Sequence, residues 1–156
     1  MIGRRDFIAL LRGAAAWPIV ARAQQGDRVR RIGVLRGAGD ENDPVWKLRL
    51  SAFTQALADL GWTDGRNVRM DLRWGGEDPN RIPALAQELV GLKPDIILAN
   101  AIPATTALQR ETRTIPIVFA IAADPISSGI LARLDRPSGN ITGFALFEPT
   151  LGGQMA

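Results

Sequence analysis

Apolar positions along the chain fall into short runs and helical stripes that take turns. Arg31-Ile32-Gly33-Val34-Leu35 is a short apolar run ending in Gly37-Ala38-Gly39, and it predicts a buried strand. Val45, Leu48, Phe53, Ala56, Leu57 and Leu60 recur at helical spacing, with Gly61 placed to close that helix. Val68, Met70, Leu72 and Trp74 then alternate with Arg69, Asp71 and Arg73. Such alternation buries one face only, as an edge strand does. Ile82, Leu85, Ala86, Leu89 and Val90 make a second helical stripe, ended by Gly91 and Pro94. Asp95-Ile96-Ile97-Leu98-Ala99 is a third, almost wholly apolar strand, followed by a short helix over residues 104–113. Pro116-Ile117-Val118-Phe119-Ala120-Ile121 is a fourth strand. Ile126, Ile130, Leu131 and Leu134 predict a fourth helix, and Asn140-Ile141-Thr142-Gly143-Phe144 opens a fifth strand.

The order is strand and helix in strict alternation, which predicts an α/β fold. Its sheet is parallel, its crossovers are right-handed, and helices lie on both faces. The half-polar second strand belongs at an edge, which suggests the strand order 2-1-3-4-5. Asp43-Pro44, Asp78-Pro79 and Asp124-Pro125 each stand where a helix begins. Asp suits the N-cap, and Pro suits the first helical position because its missing N–H costs nothing there. Capping accounts for most of this signal. The first and last of these helix starts also follow core strands and face a cleft.

Charge changes the picture mainly at the amino terminus. The chain carries 19 basic and 16 acidic residues, a formal net charge of +3. Arg4, Arg5, Arg12, Arg22 and Asp6 all fall within residues 1–23, and without them the two signs balance. The basic character therefore belongs to this leader, and a nucleic-acid role has little support. Arg4-Arg5-Asp6-Phe7-Ile8 is a twin arginine followed by an apolar stretch that reaches Val20. Ala21-Arg22-Ala23 then supplies the small residues that signal peptidase accepts, so residues 1–23 are expected to be a twin-arginine-type signal peptide. Gly3 stands where Ser or Thr is usual, and Arg12 interrupts the apolar stretch. Residues 24–156 are then the α/β lobe. The expected location is the periplasm, reached by the twin-arginine or the general secretory route.

Composition narrows the chemistry. With no cysteine and no histidine, a disulfide framework, a thiolate nucleophile and any His or Cys metal site are ruled out. The usual general base near neutral pH is missing as well. Gly37-Ala38-Gly39 lacks the third glycine of a dinucleotide fingerprint, no Walker A sequence is present, and Ser127 and Ser128 have no histidine to activate them. No catalytic residue, metal ligand or cofactor is assigned, and an enzyme is not expected. In an open parallel sheet, ligands bind beyond the carboxyl ends of the strands. Four segments reach that edge: Arg36-Gly37-Ala38-Gly39 with the residues up to Asp43, residues 100–105, residues 122–128 around Asp124, and the surroundings of Phe144. The Pro103-Ala104-Thr105-Thr106 helix start suits an anion such as a carboxylate.

Several strings together resemble one family. They include Ala14-Ala15-Ala16-Trp17-Pro18, Leu60-Gly61-Trp62-Thr63-Asp64-Gly65-Arg66-Asn67-Val68, Pro94-Asp95-Ile96-Ile97-Leu98-Ala99-Asn100, Thr114-Ile115-Pro116-Ile117-Val118-Phe119, Ala123-Asp124-Pro125 and Pro137-Ser138-Gly139-Asn140-Ile141-Thr142-Gly143-Phe144. In order and spacing they are similar to the ABC transporter substrate-binding proteins. The resemblance implies a Rossmann-like three-layer sandwich of the periplasmic-binding-protein type, two lobes joined by a hinge, and a small solute closed between them. An amino acid or similar molecule is the best expectation, handed to an ABC permease in the inner membrane, with no chemistry performed. Matching positions for ligand contact are Asn42, Asn100, Ile102, Pro103, Ala104, Thr105 and Asp124. Family members run to about twice this length, so the chain corresponds to the N-terminal lobe with the second lobe missing. Weak solute binding is expected of it, and an apolar face left bare near the hinge would favour dimers. Two other readings of the residues stand beside this one: a flavodoxin-like cofactor-binding or enzyme domain, and a sensor or interaction module.

Overall fold

The structure, a computed structural model, describes residues 28–123, 126, 128–130 and 139–146. The expected signal peptide and Asp124 lie outside the described residues. The elements run β1 (Arg30–Arg36), α1 (Pro44–Asp59), β2 (Val68–Trp74), a 3-10 turn (Pro79–Arg81), α2 (Ile82–Gly91), β3 (Ile96–Asn100), α3 (Ile102–Glu111), β4 (Ile117–Ala123) and β5 (Ile141–Leu146). All five strands are parallel, in the order β2-β1-β3-β4-β5. This is the doubly wound order expected from the half-polar pattern of β2, which does lie at an edge.

Two apolar layers sandwich the sheet. On one face Leu35, Ile97, Ala99, Ile117 and Phe119 pack against Ile82, Ala86 and Leu89 of α2 and Ala104, Ala107 and Leu108 of α3. On the other, Ile32, Val34 and Val68 pack against Trp46 of α1, with Leu57, Met70, Leu72, Ile96 and Leu98 beside them. Alternate residues of one strand therefore feed opposite layers, which is why the central strands read as unbroken apolar runs. Gly33 lets α2 come close: a Cβ there would lie 3.0 Å from Leu89.

The α2 stripe is as expected, with Ile82, Ala86 and Leu89 buried. The α1 stripe is not. Val45, Leu48 and Leu60 are exposed, Leu48 at 72%, and Trp46 is the buried residue of the helix. The inward face runs through Trp46, Leu50, Phe53 and Leu57, spaced 4, 3 and 4 apart. Two stripes of similar apolar content lie on this helix, and the large indole decides which one turns inward. The ends of α1 follow the sequence: the Asp43 side chain accepts from Val45 and Trp46 N–H, and Gly61 takes a left-handed φ of +87° after the last turn.

α3 begins at Ile102, two residues before the expected start, with Pro103 in its first turn. Ile126, Ser128, Gly129 and Ile130, where a fourth helix was expected to begin, form a turn closed by Gly129 N–H donating to Ile126 O at 2.9 Å. Gly129 has φ +72°, which is incompatible with a continuing right-handed helix. Residues 131–138 lie outside the described residues.

The amino end of the sheet is held by charge. Asp95 accepts from Arg31 N–H at 2.9 Å and from the Arg30 guanidinium at 2.9 Å, and Arg28 pairs with it at 3.2 Å. The Arg31 amide above all, with the two guanidiniums, holds the Asp95 carboxyl below the usual aspartate range against the opposing effect of burial.

Candidate functional site

The carboxyl ends of β1 and β3 are joined through backbone. Gly37 N–H donates to Asn100 O at 2.9 Å, and a Cβ on Gly37 would lie 3.0 Å from Ala104 N, at the start of α3. A larger residue there would have to push the start of α3 away by a few tenths of an ångström. Asn100 extends the junction toward β4, its Nδ2 donating to Ala120 O at 3.3 Å. The backbone then turns sharply at Ala101, with φ 74° and ψ 156°. That region is essentially reserved for glycine and costs about 1–3 kcal/mol for other residues. The turn is held from both sides: Thr105 donates to Ala101 O from its backbone (3.2 Å) and from Oγ1 (3.0 Å), while Gly37 binds Asn100. Strain fixed in this way collects at ligand sites.

The helix that follows differs from α1. Asp43 caps α1, but Ala101 gives α3 no side-chain cap. The leading amides of a helix have no intrahelical acceptor and carry a partial positive charge. The uncapped start of α3 is therefore an acceptor-seeking surface at the carboxyl edge of the sheet, beside Gly37 and Asn100.

The structure brings Asn100, Ile102, Pro103, Ala104 and Thr105 together at this junction. Their side chains are not equivalent. Ala104 and Thr105 are fully buried, and the Thr105 hydroxyl is spent on Ala101 O. Ile102 is partly exposed and Pro103 exposed. Asn42 is engaged within its own loop: its N–H donates to Asp40 Oδ1 at 2.9 Å and its Oδ1 accepts from Lys47 Nζ at 3.1 Å. Asp124 lies outside the described residues.

Arg36, Asp43 and Trp46 form a group that the sequence reading passed over. The Arg36 guanidinium pairs with Asp43 at 2.6 Å, donates to Asp40 O at 3.0 Å and lies 5.0 Å from the Trp46 ring centroid. The hydrogen bond from Arg36, with smaller help from the Trp46 and Val45 amides, holds the Asp43 carboxyl below its usual range. The available signal was an arginine straight after the apolar run Ile32–Leu35, with an Asp N-cap and a Trp further on.

A second feature lies on the α1 face. Trp46, Leu50 and Phe53 of α1, Leu98, Val118 and Ala120 of the sheet, and Phe144 of β5 line an apolar groove of about 430 Å³. Phe144 stands 76% exposed at its rim.

Compared with known proteins, residues 42–150 match the family model described as ABC transporter substrate binding protein. A tyrosine-binding protein of Clostridioides difficile is 33% identical over 91 residues, covering 58% of this chain and 26% of its own length. Among solved structures, an ABC domain from Streptococcus pneumonia in complex with L-Trp superposes with a TM-score of 0.67 at 28% identity, covering 74% of this chain and 38% of its own. The ligand-free, open form of a substrate binding protein with adhesive properties from Clostridium difficile gives 0.67 at 27% identity, covering 74% and 38%. A conserved domain protein from Vibrio cholerae gives 0.72 at 26% identity, covering 78% and 40%. The chain thus spans about a quarter of the curated relative and about two fifths of these solved chains.

Proposed function

The chain belongs to the ABC transporter substrate-binding protein family, and from that premise we propose that residues 24–156 are an N-terminal lobe supplying one wall of a small-solute site. The solute is an amino acid, with an aromatic one favoured by the tyrosine and L-Trp relatives. Captured solute passes to an ABC permease in the inner membrane, and the lobe performs no chemistry on it. Residues 1–23 serve as a twin-arginine-type signal peptide, and the working compartment is the periplasm.

The observation that carries this reading is the β3–α3 junction. A strained Ala101, an uncapped α3 and the close approach of Gly37 leave backbone amides facing the carboxyl edge. Such amides suit a solute carboxylate. Asn100, Ile102 and Pro103 supply the neighbouring side chains, whereas Ala104 acts through backbone and shape and Thr105 holds Ala101 in place. The family resemblance adds Asn42 and Asp124 as further solute contacts. The apolar groove beside Phe144 supports dimers of this lobe through that face.

One lobe cannot enclose a solute, so binding by the monomer is weak. Calorimetry of residues 24–156 with L-tryptophan is expected to give a Kd no tighter than about 1 mM, or about −4 kcal/mol. Micromolar binding by the monomer contradicts the one-wall reading. A flavin or nucleotide that copurifies with the chain contradicts the family function.

A further inference from the structure

The Arg36 group explains how the loop between β1 and α1 is held, and we propose that Arg36 is a positioning residue of the solute site: it fixes the shape of that loop at the carboxyl edge, beside the β3–α3 junction, without touching the solute. The inference rests on the solute-binding reading above. Arg36 is the last residue of β1, at the edge where that site lies. Its side chain is 14% exposed and bonded through both terminal nitrogens. One nitrogen donates to Asp40 O, the other to Asp43 Oδ2, and the guanidinium carbon lies over the Trp46 ring, 5.0 Å from its centroid. The bonded atoms span the loop from its middle to the cap of α1. Gly39 belongs to the same device: its φ is +85°, and a Cβ there would sit 2.6 Å from Arg36 Nη2. The clamp also reaches sideways, because Arg36 O accepts from Gly75 N–H at 2.8 Å and Gly39 N–H donates to Gly76 O at 3.1 Å.

The charge of Arg36 is already answered by Asp43, and an arginine so paired has little to offer a solute carboxylate. A direct ligand and a positioning residue respond oppositely to loss of Asp43, and this gives the test. Arg36→Met, Arg36→Lys and Asp43→Asn are made in the 156-residue chain. Asn is itself a good N-cap, so the last variant keeps α1 started. Hydrogen exchange without solute is read first. Amides of residues 37–42 should exchange about ten-fold faster in Arg36→Met, less in Arg36→Lys, with β3 and α3 amides unchanged. Unchanged loop exchange in Arg36→Met overturns the clamp. The affinity for L-tryptophan is then followed by NMR titration. Arg36→Met and Asp43→Asn should both weaken it, by at least about three-fold, with part of the loss restored in Arg36→Lys. Stronger binding by Asp43→Asn means that the freed guanidinium meets the solute, and overturns the proposal. If the parent chain does not bind L-tryptophan at all, the solute reading fails, and the exchange result alone decides whether Arg36 holds the loop.

Discussion

Ala101 sits in a backbone region that suits glycine, at the one place where β1, β3 and α3 converge. Its replacement by Gly should relieve the strain and stabilise the fold by about 1 kcal/mol in urea denaturation, net of the entropy that Gly adds to the unfolded chain. A loss of stability would show that Ala101 is not strained. Gly143 is the opposite case. A Cβ there would run into the Phe119 carbonyl and ring, so Gly143→Ala should cost about 3 kcal/mol or more by the same measurement. Neither residue announces itself in the sequence. An alanine after a strand gives no sign of its φ, and a glycine within a strand shows its tight neighbour only once the register with β4 is known.

At the scale of elements, α1 tests how far periodicity can be trusted. Val45, Leu48 and Leu60 suit the helical repeat as well as Leu50 and Phe53 do, but they face solvent. Trp46→Ala should therefore cost about 3 kcal/mol, while Leu48→Gln should change stability by less than about 0.5 kcal/mol. Equal effects would contradict the observed stripe. The N-cap of the same helix is sensitive to acid. Arg36 depresses the Asp43 carboxyl, so the pair contributes fully above the ordinary aspartate value, near pH 3.9, and ceases to contribute as the pH falls through the lower folded value. Exchange at the start of α1 should rise in that acid window in the parent chain, and the Asp43-dependent part of the rise should be missing in Asp43→Asn. The Asp43 and Asp78 caps, the α2 stripe and the edge character of β2 were legible because each rests on local residue chemistry. The phase of α1 was not, because it depends on the sheet and on Arg36 lying over Trp46.

Across the whole molecule, the strand order followed from one pattern, the alternation in β2, together with the handedness of crossovers. The same rule explains the groove beside Phe144. Crossovers that step from β2 through β1's neighbour β3 to β4 lie on the α2 and α3 face, while α1 alone crosses the other among the described elements. The site was legible as a set of loops, since carboxyl edges gather ligands in any such sheet. Its side chains were not: burial of Thr105 and the hydrogen bonds of Asn42 to Asp40 and Lys47 appear only with the backbone path. The most direct measurement of the central claim is an amide NMR titration of residues 24–156 with L-tryptophan. Saturable shifts gathered at Gly37, Ala38, Ala101, Ile102, Ala104 and Thr105 are the predicted result. Shifts that leave these amides unmoved, or that gather on another face of the sheet, would contradict it.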